Sequence, residues 1–309
     1  MHTPPPPTPP SFPRTRESKD VALPAEFTLD TPHGRLAGLR RPGPPGAPRV
    51  LALHGWLDNA ASFVPLQQHL PGIELAALDL PGHGASAHLP PAGEYTIPNT
   101  ARAVFAAADA LGWERFVLLG HSLGGAVASV MAAAMPERIQ RLAVIESLGA
   151  LTEDEADSGR RLRDAFRAGT APRRPLRRFR DPAIALKARV AAGGIEESAA
   201  RLLVERGIAP ARGGDGPPGF TWRSDPRLTR PTAVRMTEGQ VHSILRAIEC
   251  PVRVVYANPP QPYFPEAQRQ ARYACLRDAS LVTLEGGHHL HMEQPERVAD
   301  ELRQFLESR

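Results

Sequence analysis

Short, largely apolar runs punctuate the chain: Val50-Leu51-Ala52-Leu53, residues 73–80, Phe116-Val117-Leu118-Leu119, Leu142-Ala143-Val144-Ile145, residues 252–256 and residues 281–284. Runs this short, apolar at consecutive rather than alternate positions, suit strands of a sheet covered on both faces. Between them the spacing turns helical, at about 97–111, 238–248, 265–277 and 295–306. A further helix is expected up to about residue 70, capped by Asp58 or Asn59. Near the start, Phe27-Thr28-Leu29, a turn at Pro32-His33-Gly34 and Arg35-Leu36-Ala37-Gly38-Leu39 predict an edge hairpin. Strands alternating with helices predict an α/β fold, a doubly wound and mostly parallel sheet.

Two stretches break the alternation. Residues 1–24 are rich in proline and charge and poor in apolar side chains, so they cannot bury enough surface to offset the entropy of ordering; a disordered tail is expected. Across residues 151–235, arginine-rich helical segments broken by Gly193-Gly194 and by residues 213–219 replace the strands, which predicts an inserted helical cap. The core is then residues 25–150 and 236–309, and no internal repeat is evident.

One junction carries chemistry. The run at Phe116 empties into Gly120-His121-Ser122-Leu123-Gly124-Gly125, and a helix of small residues, Ala126, Ala128, Ala132 and Ala133 among them, follows. This is G-x-S-x-G between strand and helix, a nucleophile elbow, in which a sharp turn lifts the serine oxygen above the sheet and only small neighbours fit. First-turn N–H groups then stand beside Ser122, ready to stabilise an oxyanion. In a doubly wound sheet, ligands sit at the carboxyl ends of the strands. The polar residues at those ends, His54, Asp79, Ser122, Glu146, Asn258 and His288, are therefore expected at one rim.

Composition narrows the classes. A chain of 309 residues holds one large α/β domain with an insertion, or two small domains, without disulfides or metals. The two cysteines, Cys250 and Cys275, stand in no metal-ligand spacing and are expected as buried thiols in a reducing compartment. No signal-type apolar segment or bilayer-length run occurs, which points to a cytoplasmic protein without a membrane partner. The formal charge is +4, yet no recognition-helix or aromatic-basic pattern accompanies it, so no nucleic-acid partner is expected. The cap arginines between Arg160 and Arg180 are expected on a solvated helical face.

Four motifs in this order resemble the α/β-hydrolase superfamily, and within it the capped group that includes serine hydrolase-like proteins. They are His54-Gly55-Trp56 after a strand, Asp79-Leu80-Pro81-Gly82-His83-Gly84-Ala85-Ser86, the elbow at Ser122, and Gly287-His288-His289-Leu290-His291-Met292-Glu293-Gln294-Pro295-Glu296. The resemblance implies the α/β-hydrolase fold with a cap, Ser122 as nucleophile and His288 as general base, with His289 a pocket wall and His291 bonded to backbone. It also implies backbone N–H groups of Trp56 and Leu123 as the oxyanion hole, with the Trp56 ring lining a pocket or packing in the core. Asp79, His54 and His83 are implied as supports of turns.

The acid departs from the commonest pattern. After residues 252–256 come Ala257-Asn258-Pro259-Pro260-Gln261-Pro262, with no carboxylate. Glu146 matches the alternative placement of haloalkane dehalogenases and other capped relatives, and Glu266 is the fallback. A serine at the elbow disfavours dehalogenase and epoxide hydrolase chemistry, which uses aspartate there. The implied activity is a Ser-His-Glu hydrolase of a small, largely apolar ester or related acyl substrate, with no cofactor or metal, as a monomer or weak homodimer. Carbon–carbon bond hydrolysis on the same residues and a non-catalytic ligand-binding protein are the alternatives.

Overall fold

The computed structural model describes residues 24–170, 177–211 and 219–308. The expected tail at 1–24 lies outside the described residues except for Pro24, and so does most of the glycine-rich break at 213–219.

Ten strands form in chain order: β1 Ala25–Thr31, β2 Gly34–Arg41, β3 Arg49–Leu53, β4 Glu74–Leu78, β5 Phe116–His121, β6 Ile139–Ile145, β7 Ile208–Pro210, β8 Phe220–Trp222, β9 Val252–Asn258 and β10 Ala279–Glu285. Eight make one sheet in the order β1-β2-β4-β3-β5-β6-β9-β10. The hairpin β1–β2 and the pair β2–β4 are antiparallel, and every other pairing in this sheet is parallel. The six adjacent parallel strands β4, β3, β5, β6, β9 and β10 therefore end at the same edge.

Period-two alternation divides each central strand between two apolar layers. Leu51, Leu53, Phe116, Leu118, Leu142, Val144, Val254 and Tyr256 face one, beneath the helices Ile97–Ala110, Leu123–Ala134 and Glu238–Arg246. Val50, Ala52, Val117, Leu119, Ala143, Ile145 and Val255 face the other, covered by Phe63, Leu66, Leu70 and the helix Pro295–Glu307. Consecutive apolar residues are needed because both layers are dry, and each fully buried leucine contributes about 1.5–3 kcal/mol.

Local chemistry sets the ends of these elements. Thr96 accepts from Asn99 N and opens the helix Ile97–Ala110, and a capping box of Thr237 and Gln240 opens Glu238–Arg246. The helix expected up to residue 70 is shorter: a 3₁₀ turn, Ala60–Phe63, runs into Val64–Gln67, with Pro65 in its first turn. Asn59 caps it, which leaves the Asp58 carboxylate for other partners.

Between β6 and β9 stand helices Ser158–Thr170, Pro182–Gly193 and Glu197–Gly207, and Gly194 ends the second in the left-handed region at φ 57°. The antiparallel pair β7–β8 is an addition to the expected helices, since three-residue strands leave no readable period. Phe179, Leu186, Leu203, Val204 and Ile208 form a separate small core there, which Met292 joins from below.

Candidate active site

Ser122 sits where β5 turns into the helix Leu123–Ala134, with φ 51° and ψ −115°. For a residue with a Cβ this conformation costs of order 1–3 kcal/mol and persists only if its surroundings enforce it. They do: Ser122 N donates to Ile145 O at 3.0 Å, and Ala126 N donates to Ser122 O at 3.1 Å. The glycines are obligatory, because a Cβ on Gly124 would lie 1.8 Å from Leu53 O and one on Gly120 would lie 2.5 Å from Gly125 Cα. Among the described residues, two other non-glycine residues have positive φ, Leu57 at 60° and Glu146 at 54°. Both lie just beyond strand ends, on β3 and β6, the two neighbours of β5. Backbone strain is thus concentrated at the rim where the expected site residues gather.

Glu146 leaves β6 with its side chain fully buried, and its backbone N–H donates to Val255 O at 2.9 Å. Its two oxygens have different partners. Oε1 accepts from Ala257 N at 2.6 Å and from Arg269 Nη2 at 3.0 Å, while Oε2 faces His288 Nδ1 at 3.3 Å.

His288 follows β10, and its Nε2 lies 3.0 Å from Ser122 Oγ. One tautomer satisfies both contacts: Nδ1–H donates to Glu146, and Nε2 accepts from the serine hydroxyl. The Tyr263 hydroxyl lies 3.4 Å from the same Nδ1. The His288 backbone is anchored from below, because His121 Nε2–H donates to its carbonyl at 2.9 Å.

The structure therefore brings Ser122, His288 and Glu146 together. Glu266 is elsewhere, exposed on the helix Glu266–Tyr273, and accepts from Gln270 Nε2 at 2.6 Å. Leu123 opens its helix, so its N–H has no partner within that helix. Trp56 lies beyond β3, the strand whose Leu53 pairs with Gly120. The Trp56 ring is neither core nor enclosed wall: it is 52 % exposed, and its Nε1–H donates to Leu228 O at 3.1 Å.

The surrounding polar residues form a second tier. His291 is buried with its Nε2 2.7 Å from Ser62 Oγ, a side-chain partner in place of the expected backbone one. His289 Nε2 lies 3.3 Å from Asp58 Oδ2, and the other Asp58 oxygen pairs with Arg189 from the cap. Burial alone would push the Asp58 carboxyl up, but His289 and Arg189 overcome it and hold the group below the usual range. Burial, reinforced by neighbouring histidines, lowers His121 well below the ordinary imidazole value and His291 to about 3. Asp79 accepts from Ala60 N at 2.7 Å and Ala85 N at 2.8 Å, so it supports the turns as expected. His54 accepts from Leu80 N at 3.0 Å, and His83 donates to Pro81 O at 3.1 Å.

Arg269, Asp58 and Tyr263 were not legible as site residues. Only their place after a strand end or within a turn marks Asp58 and Tyr263, and Arg269 sits in a helix, Glu266–Tyr273, that offers no large aliphatic residue to mark its buried face. Among the described residues no cluster of three or more His, Cys, Asp or Glu could hold a metal ion, and no helix is long and apolar enough to cross a membrane. A groove of about 240 Å³ between His33, Glu94, Asn99 and Thr100 is lined by none of Ser122, His288 and Glu146.

Residues 48–188 match the family model described as alpha/beta hydrolase fold. The chain is 31 % identical to the "Probable serine hydrolase" of Drosophila melanogaster over 91 % of its own length and 87 % of the relative's. It is 29 % identical to the "Serine hydrolase-like protein" of Danio rerio, covering 92 % and 88 % of the two chains. A solved hypothetical protein from Pseudomonas aeruginosa PAO1 superposes with a TM-score of 0.83 at 39 % identity, covering 91 % and 98 %. A thioesterase domain from the curacin biosynthetic pathway shares the fold at 24 % identity, with a TM-score of 0.77 over 91 % and 98 % of the chains.

Proposed function

The chain belongs to the serine hydrolase-like group of the α/β-hydrolase superfamily, and from that premise we propose that it hydrolyses a small, largely apolar ester, thioester or related acyl substrate. In this reading Ser122 Oγ attacks the acyl carbon as His288 Nε2 takes its proton. The N–H groups of Trp56 and Leu123 hold the tetrahedral oxyanion, and Glu146 stabilises the imidazolium through Nδ1. The imidazolium returns the proton to the leaving group, which departs and leaves an acyl-enzyme. Water, deprotonated by the same imidazole, then releases the acid and restores Ser122. Every proton taken is given back, so no co-reactant other than water is required.

The observation that carries the proposal is the continuous chain from Ser122 Oγ to Nε2 at 3.0 Å and from Nδ1 to Glu146 Oε2 at 3.3 Å. It also weighs against a purely ligand-binding role, whose support was the missing acid after β9. The proposed setting is the cytoplasm, and the proposed state is a monomer or weak homodimer.

The test is turnover of p-nitrophenyl butyrate together with labelling by a fluorophosphonate probe. Ser122→Ala is expected to lose about a million-fold in kcat and all labelling. Glu146→Gln should lose about 10⁴-fold while Glu266→Gln keeps wild-type turnover. Undiminished turnover by Ser122→Ala would remove the proposal, and the reverse order of the two glutamine variants would move the acid.

A further inference from the structure

The helix Glu266–Tyr273 buries two residues, and both are arginines, Arg269 and Arg272. A guanidinium taken out of water is expensive unless all its donors are matched, so each such arginine has a task written in its partners. Arg272 ties Leu148 O and the Glu238 carboxylate, which joins elements of the core. Arg269 does something different. Its Nη1 donates to Ala257 O at 2.7 Å, its Nε to Phe264 O at 3.2 Å, and its Nη2 to Glu146 Oε1 at 3.0 Å. The guanidinium lies 4.5 Å from the Tyr256 ring centre and 5.6 Å from that of Phe264, and Arg269 as a whole is 1 % exposed.

This cradle stands at the end of β9, where the commonest pattern puts the acid itself. Here the same strand end supplies a backbone donor, Ala257 N, to the carboxylate that arrives from β6. A carboxylate at the end of a short flexible side chain can rotate. With Oε1 claimed by Ala257 N–H and by one arm of a planar fork, rotation would break two hydrogen bonds, so Oε2 alone is left toward His288. The second arm of the fork holds Ala257 O, which fixes the ends of β6 and β9 relative to each other. Lysine, a point charge on a flexible stem, cannot span both.

We propose that Arg269 is a positioning residue for the displaced acid: with Ala257 N–H it locks the Glu146 carboxylate so that one oxygen addresses His288 Nδ1, and its charge tempers the pull of that carboxylate on the imidazole. This rests on the triad reading above. Arg269 has no hydrogen bond to Ser122 or His288; its hydrogen-bonded link to the imidazole runs through Glu146. Other groups facing the imidazole are the Tyr263 hydroxyl, the His121 ring at 4.8 Å and the His289 ring at 5.4 Å; of these Tyr263 adjoins Phe264, whose carbonyl Arg269 also holds.

The experiment is a double-mutant cycle of Arg269→Met and Glu146→Gln in the full chain, read with p-nitrophenyl butyrate, a pH profile and thermal melting. Arg269→Met is expected to lose about 10- to 100-fold in kcat with little change in KM. The acid limb of its kcat/KM profile should move to higher pH, because loss of a nearby cation favours the protonated imidazole. Arg269→Lys should recover the limb but not the whole of kcat. In Glu146→Gln the buried guanidinium loses its counter-charge, so the double variant should melt higher than Glu146→Gln while turning over no more slowly. A merely structural arginine would give multiplied losses and an unmoved limb, and that outcome overturns the proposal. Wild-type kcat and limb in a folded Arg269→Met also overturn it while the triad stands. Full turnover by Ser122→Ala would instead overturn the reading beneath it.

Discussion

The central sheet and the inserted cap are held by different forces. The sheet buries continuous apolar strands between two large apolar layers, and the buried arginines Arg269 and Arg272 meet the first of them at Tyr256 and Phe264. The cap supplies nine of the ten buried residues of its small core, Met292 being the tenth, and its helix Ser158–Thr170 buries none. Beside the apolar contacts of Met292 and Leu202, polar ties fasten it to the rest of the fold. Arg189 pairs with Asp58, Arg206 grips both oxygens of Asp79 at 2.7–3.0 Å, Asn59 Nδ2 donates to Leu203 O at 2.8 Å, and the Tyr95 hydroxyl donates to Asp225 at 2.8 Å. Apolar contact is tolerant of small slips, whereas a buried ion pair is lost all at once. A unit attached by such pairs is thus suited to local opening without unfolding what lies beneath.

The largest expected effect tests the polar seam. Arg206→Met leaves the fully buried Asp79 with its backbone donors but no cation, and breaking a buried pair from one side costs about 3–5 kcal/mol. Denaturant titration should show that loss, with proteolysis beginning in the cap. An unchanged midpoint would mean that the seam is apolar after all.

A matched pair of leucines comes next. Leu142→Ala, in β6, should cost about 2–5 kcal/mol of global stability. Leu203→Ala removes the same atoms from the cap core. Its loss should appear mainly as faster amide exchange across residues 182–207, with a smaller shift of the global midpoint. Equal global shifts would show that sheet and cap unfold as one unit.

These two kinds of contact also explain what the sequence disclosed. Apolar runs at 50–53, 116–119 and 142–145 announced the sheet because burial on both faces leaves no polar position to confuse the pattern. The elbow was legible because glycines are forced at 120 and 124 by backbone approach. Glu146 could be placed at a strand end, but the division of its oxygens depends on Ala257 and Arg269, residues 111 and 123 positions away along the chain. No local pattern encodes such a pairing. The helix Glu266–Tyr273 misleads for the same reason, since hydrophobic periodicity assumes that what is buried is apolar.

Acid should separate the regions by histidine content, since all eleven histidines lie outside residues 151–235. Burial lowers His54 and His121, and takes His83 and His291 to about 3. A histidine whose folded pKa lies below its unfolded value of about 6.5 contributes stability in full above 6.5, lost as pH falls toward the folded value. For His83 and His291 the slope approaches about 1.4 kcal/mol per pH unit each. Melting temperature should be flat above pH 7 and drop between 6.5 and 5, before carboxylates begin to titrate. His291→Gln should flatten that drop, and a curve identical to wild type would refute the assignment.

The smallest expected effect is the sharpest control on the comparison. Arg160 carries the same guanidinium as Arg206 and Arg269 and makes three ion pairs, to Asp157 at 3.1 Å, Glu153 at 3.2 Å and Asp164 at 3.8 Å. Its side chain is 54 % exposed, so water and salt screen every one of them, and Glu153 keeps Arg161 when Arg160 is gone. Arg160→Ala should therefore leave the melting temperature and kcat unchanged at about 0.15 M salt, where the screening length is about 8 Å. If three exposed pairs melted the protein as far as the one buried pair at Arg206, burial would not be what gives a charge its structural weight, and the contrast between seam and surface would fail.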